Sequence, residues 1–426
     1  MNRRYSVAAC AVTLAAGMAA CGSSSSSSGS AGSSSSSGPR TLTVWLMKGS
    51  APDPVISALN SEFQASHPNV TVNVQIQQWS GIADKVTAAL STSSPPDVLE
   101  MGNTQVSAYA DAGGLMDLTS KKDDLGGSTW LKSLADAGTT NNKLYGVPYY
   151  AGDRVVIYNK QMFAQAGITT PPTTRDDFVA DGQKLMQTFA HTAGFSGLYL
   201  PGKDWYAIMS WVYDNGGNIA TQSGSQWQGT LESQQAQSAL TWVKDMRSKV
   251  GTAPGDGDET KDDATFEAGQ AAMVIEPGWH VGQIGTDKPA LKDQVGVFPI
   301  PGQTGPAPVF LGGSNLGIAA KSPNQDLAYD YVKLLSGNKY QTMLAQQGGV
   351  IPNTTTLLHI HASDPILSVA DVAATKSWFV PSTPNWTSIE SSNVLQDMLA
   401  KVFTGQADVS SATQAADQAI TSKLNA

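Results

Sequence analysis

The chain has 426 residues and a formal charge of −9, from 26 basic and 35 acidic side chains, and charged residues make up only 14% of it. An acidic balance of this kind argues against nucleic acid or an anionic membrane face as a partner. Ten Trp and twelve Tyr in a polar but weakly charged chain suit a neutral polyhydroxylated ligand, although any single Trp is equally suited to a core.

The first forty residues are predicted to be a leader and a tether. Arg3 and Arg4 precede an apolar run over 7–20 that is too short to span a bilayer comfortably, as in a signal peptide. Loss of this leader, residues 1–20, removes both arginines and takes the formal charge from −9 to −11. It leaves about four hundred residues, enough for two domains. Residues 21–40 are mostly Ser and Gly, which predicts a flexible tether of roughly 20 to 25 Å end to end.

Cys21 is predicted to carry a lipid. Ala19 and Ala20 directly before it resemble a bacterial lipobox, in which the cysteine is acylated and becomes the first residue, although Met18 stands where the pattern prefers Leu. The other cysteine, Cys10, lies in the leader, so no disulfide is expected within one mature chain. These features predict a protein anchored on the extracellular face of the cytoplasmic membrane. The alternative is a secreted protein with a free, oxidisable thiol.

Strands and helices alternate at the start of the mature chain. The segment "TLTVWLMKG" at 41–49 alternates β-branched and apolar residues, as a buried strand does. In the helix that follows, Asp53 is the predicted N-cap and Pro54 the first helical residue. A strand over 70–76, a helix near 81–92 and a strand at "PDVLEM" come next. This order predicts α/β units around a mostly parallel sheet.

The rest of the chain continues with mixed elements. The segments "RVVIYN", "MVIEP" and "VGVFPIP" are predicted strands. Thr174 and Asp177 form a capping box for one helix, Ser322 caps another, and helices are also predicted over 232–249 and from Ser388 onwards. The sequence contains no repeat of roughly 20 to 50 residues and no long internal linker. Two lobes would therefore have to be built from interleaved segments.

Complete catalytic and cofactor signatures are missing from the sequence. The segments "GFSGL" and "GGSNLG" lack the G-x-S-x-G spacing of serine hydrolases, and neither G-x-G-x-x-G nor a phosphate-binding loop is found. His359 and His361 have no third ligand pattern nearby, which favours a surface pair over a metal site. The acidic segment at 256–267 is spaced like a calcium loop, but Lys261 replaces the required Gly, which predicts a solvated loop. We therefore predict no metal and no cofactor.

Acidic residues keep a glycosidase as an alternative. Glu100, Asp153, Asp204 and Glu276 are candidates for the two carboxyl groups of such an enzyme. A raised pKa, or a separation of roughly 5 to 10 Å between two carboxyl groups, would make them catalytic. The same residues spread around a cleft would simply accept hydrogen bonds from sugar hydroxyls. The residues alone leave both interpretations open.

Four segments carry a family resemblance, and they follow one another in the family's order. They are "PDVLEMGNTQVSAYADAGGLMDL", "GVPYYAGDRVVIYNKQMFAQAGITTPPTTRDDF", "FEAGQAAMVIEPGW" and "GGSNLGIAAKSPNQDLAYDYVKLL". These strings resemble the family 1 extracellular solute-binding proteins, and the resemblance runs from about residue 41 to the C-terminus. It implies an α/β, two-lobed fold of the type II periplasmic-binding-protein class, with a ligand cleft between the lobes and three hinge crossings.

The resemblance also implies where the lobes meet. The crossings are expected near Pro148, between Val295 and Pro301, and between Gly348 and Pro352, in irregular stretches that tolerate a hinge. The N-terminal lobe is then 41–148 plus 297–349, and the C-terminal lobe is 149–296 plus 350–426.

Members of this family are capture subunits of ABC importers and have no catalytic role. By resemblance we expect a monomeric, non-enzymatic lipoprotein that captures a neutral di- or oligosaccharide by lobe closure and delivers it to the permease subunits. The loop "EMGNTQ" is similar to that of binding proteins for disaccharides such as chitobiose or cellobiose. A lipid-anchored glycoside hydrolase and a surface sensing or adhesion protein on the same fold are the alternatives.

Aromatic faces and planar polar side chains are the groups that hold a sugar. Trp279 matches the aromatic residue that closes the "FEAGQAAMVIEPGW" segment and is the first candidate for stacking on the ligand. Asp153 and Arg154 follow the first crossing, where a buried acid beside Arg would be held ionised as a hydroxyl acceptor; the alternative is an interlobe or surface ion pair. The other candidates are Lys48, Glu100, Asn103, Gln105, Tyr150, Trp205, Tyr206, Gly313, Asn315 and Trp386, with Trp378 as an alternative to the last.

Overall fold

The computed structural model describes residues 38–426. The predicted signal peptide, the predicted lipidation site Cys21 and nearly all of the predicted tether lie outside the described residues. Arg40, assigned to the tether, is instead the first residue of a strand, and its guanidinium binds the Asp326 carboxylate at 2.6 and 2.8 Å. Within the part of the chain that the structure describes, no helix is long and apolar enough to cross a membrane.

The strands include those predicted from alternation, together with short pairs that the sequence does not signal. They are β1 (Arg40–Met47), β2 (Val70–Gln77), β3 (Val98–Gly102), β4 (Thr139–Thr140), β5 (Lys143–Leu144), β6 (Val147–Gly152), β7 (Arg154–Asn159), β8 (Ala220–Ser223), β9 (Gln226–Gly229), β10 (Met273–Pro277), β11 (Val295–Phe298), β12 (Val309–Phe310), β13 (Gly312–Ile318), β14 (Ile351–Pro352) and β15 (Ser377–Trp378).

The helices fall mainly where polar and apolar residues alternate with helical spacing. They are α1 (Asp53–Ser66), α2 (Ile82–Ser91), α3 (Val106–Asp111), α4 (Lys132–Ala137), α5 (Lys160–Gln165), α6 (Arg175–Thr188), α7 (Trp205–Asp214), α8 (Gln234–Val250), α9 (Asp262–Glu267), α10 (His280–Asp287), α11 (Gln325–Ser336), α12 (Asn338–Gly348), α13 (Leu367–Ala374), α14 (Trp386–Ser391), α15 (Val394–Thr404) and α16 (Val409–Leu424). Short 3-10 helices cover Thr119–Lys121, Glu259–Lys261, Pro289–Leu291 and Thr355–His361.

The larger sheet has six strands in the order β14-β6-β13-β3-β1-β2. The β1 strand pairs in parallel with β2 and β3, so that Val44 lies between Val74 and Val98. The expectation of a mostly parallel sheet is wrong, because β13 is antiparallel to both β3 and β6, and β14 is antiparallel to β6. The chain re-enters this sheet at β13 in the opposite direction. A pattern of consecutive β-α units predicts parallel neighbours and does not indicate this reversal.

A smaller sheet of three strands, in the order β10-β7-β11, is antiparallel throughout. We call the larger sheet and its helices the first lobe, and the smaller sheet and its helices the second lobe. Residues 297–311, which the sequence places in the first lobe, pair and pack with the second. Val297 lies opposite Ile157, and Ile300 and Phe310 are part of the second lobe's core.

Each lobe has its own apolar core. In the first, β1 supplies Leu42, Val44 and Leu46, which alternate with less buried residues and pack with α1 and α11. The second core is built mainly from α6, α7, α8, α15 and α16 around one face of β7 and β10. A third apolar cluster contains Ala151 of β6, Val155 of β7, Leu311 and Ile351, and so lies where the chain passes between the sheets.

Three predicted helix N-caps can be compared with the observed starts of the helices. The capping box is confirmed, because the Thr174 hydroxyl oxygen accepts from the Asp177 N–H at 3.1 Å. The cap predicted at Asp53 is displaced by one residue, since Pro52 precedes the helix and Asp53 is its first member. Ser322 does not cap α11, which begins at Gln325; its hydroxyl donates to Asp97 Oδ1 at 2.5 Å.

Candidate functional site

A cavity of about 480 Å³ lies between the two lobes. The first lobe contributes residues that follow β1 and β2, a residue of β6 and the end of α12, and the second lobe contributes the start of α10. The lining residues are Lys48, Gly49, Trp79, Tyr150, Trp279, His280, Gln283, Gly348 and Val350. We call this the interlobe cavity. The carboxyl ends of parallel strands form one wall, as is usual for ligand sites in α/β proteins.

Trp279 immediately precedes α10 and reaches towards the first lobe. A Cβ on Gly152, the last residue of β6, would stand 1.8 Å from the indole Cζ3 atom. The ring can therefore lie this close to the chain only because residue 152 has no side chain. The structure brings Trp279 together with Lys48 and Tyr150 at the interlobe cavity, three of the residues singled out from the sequence.

Six lining residues were not candidate ligand contacts in the sequence, and three of them, Trp79, His280 and Gln283, offer aromatic or polar side chains. Trp79 is 43% exposed, and it is one of three large apolar side chains that are exposed in the described part of the chain. A signal for it existed, because Trp79 follows the end of β2 as Lys48 follows the end of β1. His280 and Gln283 lie on the first turn of α10, and no motif in the sequence marks them.

Glu100 lies beneath the cavity floor and is bound within the first lobe. Its Oε2 accepts from the Met47 N–H at 2.8 Å, and its Oε1 accepts from the Tyr150 hydroxyl at 3.2 Å. Burial raises the pKa of Glu100, and these hydrogen bonds oppose the shift only in part. The carboxyl therefore fixes Tyr150, which itself lines the cavity.

The remaining candidates in the first lobe make hydrogen bonds or close backbone contacts within the protein. The Asn103 side chain donates to the Leu311 carbonyl at 3.0 Å, and its backbone N–H donates to Gly313 O at 3.0 Å. Gly313 has a φ of +138°, and a Cβ there would stand 2.2 Å from the Tyr150 carbonyl oxygen. Gln105 Oε1 accepts from the Tyr109 hydroxyl at 3.2 Å.

Asn315 is not placed at the cavity. Its side chain is fully buried in the first lobe and donates to the carbonyl oxygens of Leu134 and Gly146 at 3.2 and 3.3 Å. The candidate lining role came from its position on the return strand, but the side chain points to the interior of the lobe.

Asp153 and Arg154 do not form the expected pair. Both Asp153 carboxylate oxygens are buried without a partner among the described residues, and burial with the nearby Asp371 charge raises the Asp153 pKa well above its ordinary value. Arg154 instead binds Glu259, lies 3.8 Å from Asp204 Oδ1 through its Nε and stacks on a tyrosine ring. Consecutive residues of an extended chain point to opposite sides, which separates the two.

Tyr206 and its neighbours form an aromatic group in the second lobe. The Arg154 guanidinium lies 4.7 Å from the Tyr206 ring centre, and the Trp205 ring centre is 4.0 Å from that of Tyr206. Trp205 and Trp386 are core residues, with 4% and 1% of their surface exposed, rather than open platforms for a sugar. Trp378 is also buried and stacks on Tyr213 at 4.6 Å.

A second cavity, of about 440 Å³, borders this aromatic group. It is lined by Lys203, Trp205, Tyr206, Asp258, Glu259, Glu390, Asn393 and Gln396. Thr104, which follows β3 in the first lobe, donates its hydroxyl to Glu390 Oε2 at 3.2 Å. This hydrogen bond joins the lobes beside the second cavity.

The carboxyl groups considered for glycosidase chemistry serve different local roles. Asp204 caps α7 by accepting from the Ala207 N–H at 3.2 Å, and burial raises its pKa to about 7. Glu276, on β10, lies with its Oε2 3.8 Å from His280 Nε2. Glu100 is held in the first lobe by Met47 and Tyr150.

Other histidines and acids also depart from expectation. His361 is not on the surface: its Nδ1 lies 3.1 Å from Asp371 Oδ1 and its Nε2 lies 3.1 Å from the Ala345 carbonyl oxygen. The acidic segment at 256–267 is not simply solvated, because Asp262 is fully buried and Glu259 pairs with Arg154. Asp97 has a structural role, since its Oδ2 accepts from the Thr43 N–H at 2.7 Å.

Two curated relatives cover most of the chain. The diacetylchitobiose binding protein DasA of Streptomyces coelicolor (strain ATCC BAA-471 / A3(2) / M145) is 35% identical over 419 residues, which are 97% of this chain and 97% of that protein. The arabinooligosaccharide-binding protein of Bacillus subtilis (strain 168) is 23% identical over 316 residues, 71% of this chain and 70% of that protein.

Solved structures show the same two-lobed fold. The GacH receptor of Streptomyces glaucescens GLA.O superposes with a TM-score of 0.78 at 24% identity, over 91% of this chain and 98% of that one. The cyclic α-maltosyl-1,6-maltose binding protein of Arthrobacter globiformis gives a TM-score of 0.75 at 24% identity, over 91% of this chain and all of that one.

The family described as bacterial extracellular solute-binding protein matches residues 48–342, which include β2 to β13 and begin directly after β1. This match, the long alignment with DasA and the two-lobed fold agree with the resemblance seen in the sequence. The chain belongs to the bacterial extracellular solute-binding protein family.

Proposed function

We propose that this protein is the capture subunit of an ABC sugar importer and binds a neutral di- or oligosaccharide between its lobes. The observation that carries the proposal is the interlobe cavity, in which Trp279 of the second lobe faces Lys48 and Tyr150 of the first. The alignment with DasA, a diacetylchitobiose binding protein, supports a sugar ligand.

The cavity has the chemistry that a pyranose requires. Trp79 and Trp279 come from different lobes and offer aromatic surface for the apolar C–H faces of sugar rings. Lys48, His280 and Gln283 supply polar groups for hydroxyls or amide groups. The volume of about 480 Å³ falls within the range of roughly 300 to 1,000 Å³ typical of small-molecule sites.

Ligand capture is expected to work by closure of the lobes. Changes of sheet along the chain support crossings between Gly152 and Arg154 and between Leu311 and Gly312, with the third after Pro352. All three lie later in the chain than the sequence indicates, and the second is displaced the most. A ligand that contacts both lobes favours the closed arrangement, because it binds that arrangement more tightly than an open one.

The predicted leader and Cys21 support a lipoprotein on the extracellular face of the cytoplasmic membrane. In this arrangement, residues 21–39 would tether a monomeric receptor near its permease subunits. Labelling with a palmitate analogue tests the anchor: we expect incorporation into the intact chain and none into the Cys21→Ser variant. Equal incorporation into both proteins would contradict acylation at Cys21.

Calorimetry with a panel of sugars tests the proposed ligand class. We expect N,N′-diacetylchitobiose or a related neutral di- or trisaccharide to bind with saturation and to raise the melting temperature, because ligand bound only to the folded state stabilises it. Chromogenic glycosides should remain intact. Absence of binding across neutral sugars would contradict the proposal, and turnover of a glycoside would favour a hydrolase.

A further inference from the structure

A group of metal-ligating side chains lies beside the interlobe cavity. Asp263 of α9, Glu276 of β10 and His280 of α10 each place one ligand atom within 4.8 Å of the other two. His280 Nδ1 is 2.7 Å from Asp263 Oδ2, while its Nε2 is 3.8 Å from Glu276 Oε2. Side chains from α9 and β10 therefore meet the imidazole of His280 on α10, all within the second lobe.

Glu276 provides an independent reason to expect a cation here. Its side chain is only 4% exposed, and the cationic group that it meets is the His280 imidazole, whose Nε2 lies 3.8 Å from Oε2. The Glu276 Oε2 points to the imidazole nitrogen that Asp263 leaves free. A carboxylate this buried is costly unless its charge is compensated, and a cation bound between Glu276 and His280 would compensate it.

More acidic than basic side chains surround Asp263, Glu276 and His280. Asp262 is fully buried with both carboxylate oxygens unpartnered among the described residues, and Asp263 Oδ1 is also buried and unpartnered. Arg154 is the neighbouring guanidinium, and it is already engaged by Glu259.

We propose that Glu276 and His280 bind a divalent transition-metal ion of the zinc class, with Asp263 as the residue that orients the imidazole. Acceptance of the Nδ1–H by Asp263 directs Nε2 towards Glu276, which is the carboxylate–histidine arrangement of many metal sites. Water, or a donor atom from a ligand in the adjoining interlobe cavity, fills the remaining positions.

The geometry and donor types favour zinc over calcium or magnesium. With metal–ligand bonds of about 2.0 to 2.2 Å, two donors of a tetrahedral zinc site lie about 3.4 Å apart. The observed 3.8 Å between His280 Nε2 and Glu276 Oε2 needs only a small side-chain adjustment to reach this separation. Imidazole suits zinc, whereas calcium and magnesium prefer oxygen donors alone.

Zinc titration of the chelator-treated, tag-free full chain tests this site. We expect one ion per chain by calorimetry and by elemental analysis after gel filtration. Glu276→Gln should weaken binding at least tenfold, and Asp263→Asn by about 10- to 100-fold, the usual effect of losing the group that orients a ligating histidine. Cobalt should give a visible absorption band that shifts in Asp263→Asn but keeps its stoichiometry at saturation.

Matched controls separate this site from adventitious binding. Asp256→Asn and His359→Ala change exposed residues of the same types outside the cluster, and both should bind zinc as the unaltered chain does. Equal zinc affinity in the unaltered chain and in Glu276→Gln would overturn the proposal, as would the absence of zinc binding by the unaltered chain. If Glu276→Gln does not fold, the half-exposed Asp263 position decides the outcome through Asp263→Asn.

The zinc site and the proposed sugar-binding function can fail separately. Sugar binding to chelator-treated protein that shows no zinc binding would remove the metal site and leave the capture function intact. Zinc binding by protein that binds no sugar would remove the capture function and leave the metal site intact. The sugar panel is therefore measured with and without zinc on the same preparations.

Discussion

Gly152 and Trp279 lie so close together that a Cβ on the glycine would stand 1.8 Å from the indole Cζ3 atom. The glycine ends β6 in the first lobe, and the indole belongs to the second. The position of Trp279 in the wall of the interlobe cavity thus requires a residue without a side chain, Gly152, on the opposite lobe.

The substitution Gly152→Ala should therefore displace Trp279 and weaken sugar binding. Overpacking of this kind typically costs about 1 to 3 kcal/mol, so we expect a lower melting temperature and a loss of affinity of roughly 5- to 150-fold. Gly282→Ala is the matched control, since a Cβ there meets no atom within 4 Å. Calorimetry that finds unchanged affinity in Gly152→Ala would show that the ring position does not matter to the ligand.

Trp279→Ala should reduce sugar affinity by one to two orders of magnitude while the protein stays folded. The estimate takes the aromatic contact as worth about 1 to 3 kcal/mol. Trp227→Ala is the control. Trp227 is also half-buried, but it lies on β9 and lines neither the interlobe cavity nor the second cavity. Equal affinities for the two variants would assign Trp279 a packing role only.

Thr104→Val should loosen the contact between the lobes. The variant keeps the side-chain shape but removes the donor to Glu390 Oε2, a hydrogen bond of 3.2 Å. A loss of about 0.5 to 1.5 kcal/mol corresponds to roughly two- to tenfold weaker sugar binding if this bond forms on closure. Thr87→Val, on an exposed part of α2, should bind sugar normally. An effect of equal size in both variants would contradict a role for the interlobe bond.

The contribution of Asp204 to the stability of the protein should fall as pH rises from about 4 to about 7. Burial, with Glu259 adding to it and Arg154 opposing it, raises the pKa of Asp204 from 3.8 to about 7. The folded protein therefore binds this proton more tightly than the unfolded chain, and the stabilising contribution is lost as pH rises through about 7. Thermal melts across this range should show a smaller pH dependence in Asp204→Asn, whose amide can still cap α7.

Local patterns were sufficient to predict much of the fold. The β1 and β2 strands lie within one residue of the segments predicted from alternation at 41–49 and 70–76, apart from the last two residues of the first. Thr174 caps its helix as the capping box indicates. These features depend on neighbours in the chain. The direction of β13 was not predictable in this way, because it depends on which lobe the chain comes from.

The candidate site was predicted less completely, because its contacts join distant residues. Arg154 pairs with Glu259, 105 positions away, and not with the adjacent Asp153. Residue type favoured Trp205 and Trp386 as platforms, but packing buries both. Trp79 was overlooked although it follows a strand's carboxyl end, so the rule applied to Lys48 would also have found it.

The Arg40–Asp326 ion pair has a mechanical consequence. Arg40 begins β1 and Lys48 follows its last residue, so the chain's entry point and the interlobe cavity are about 26 Å apart along one strand. Asp326 lies at the start of α11, which packs behind the sheet. If the chain is pulled at residues before Arg40, the Arg40–Asp326 ion pair and the first residues of β1 therefore bear the force before the walls of the interlobe cavity do.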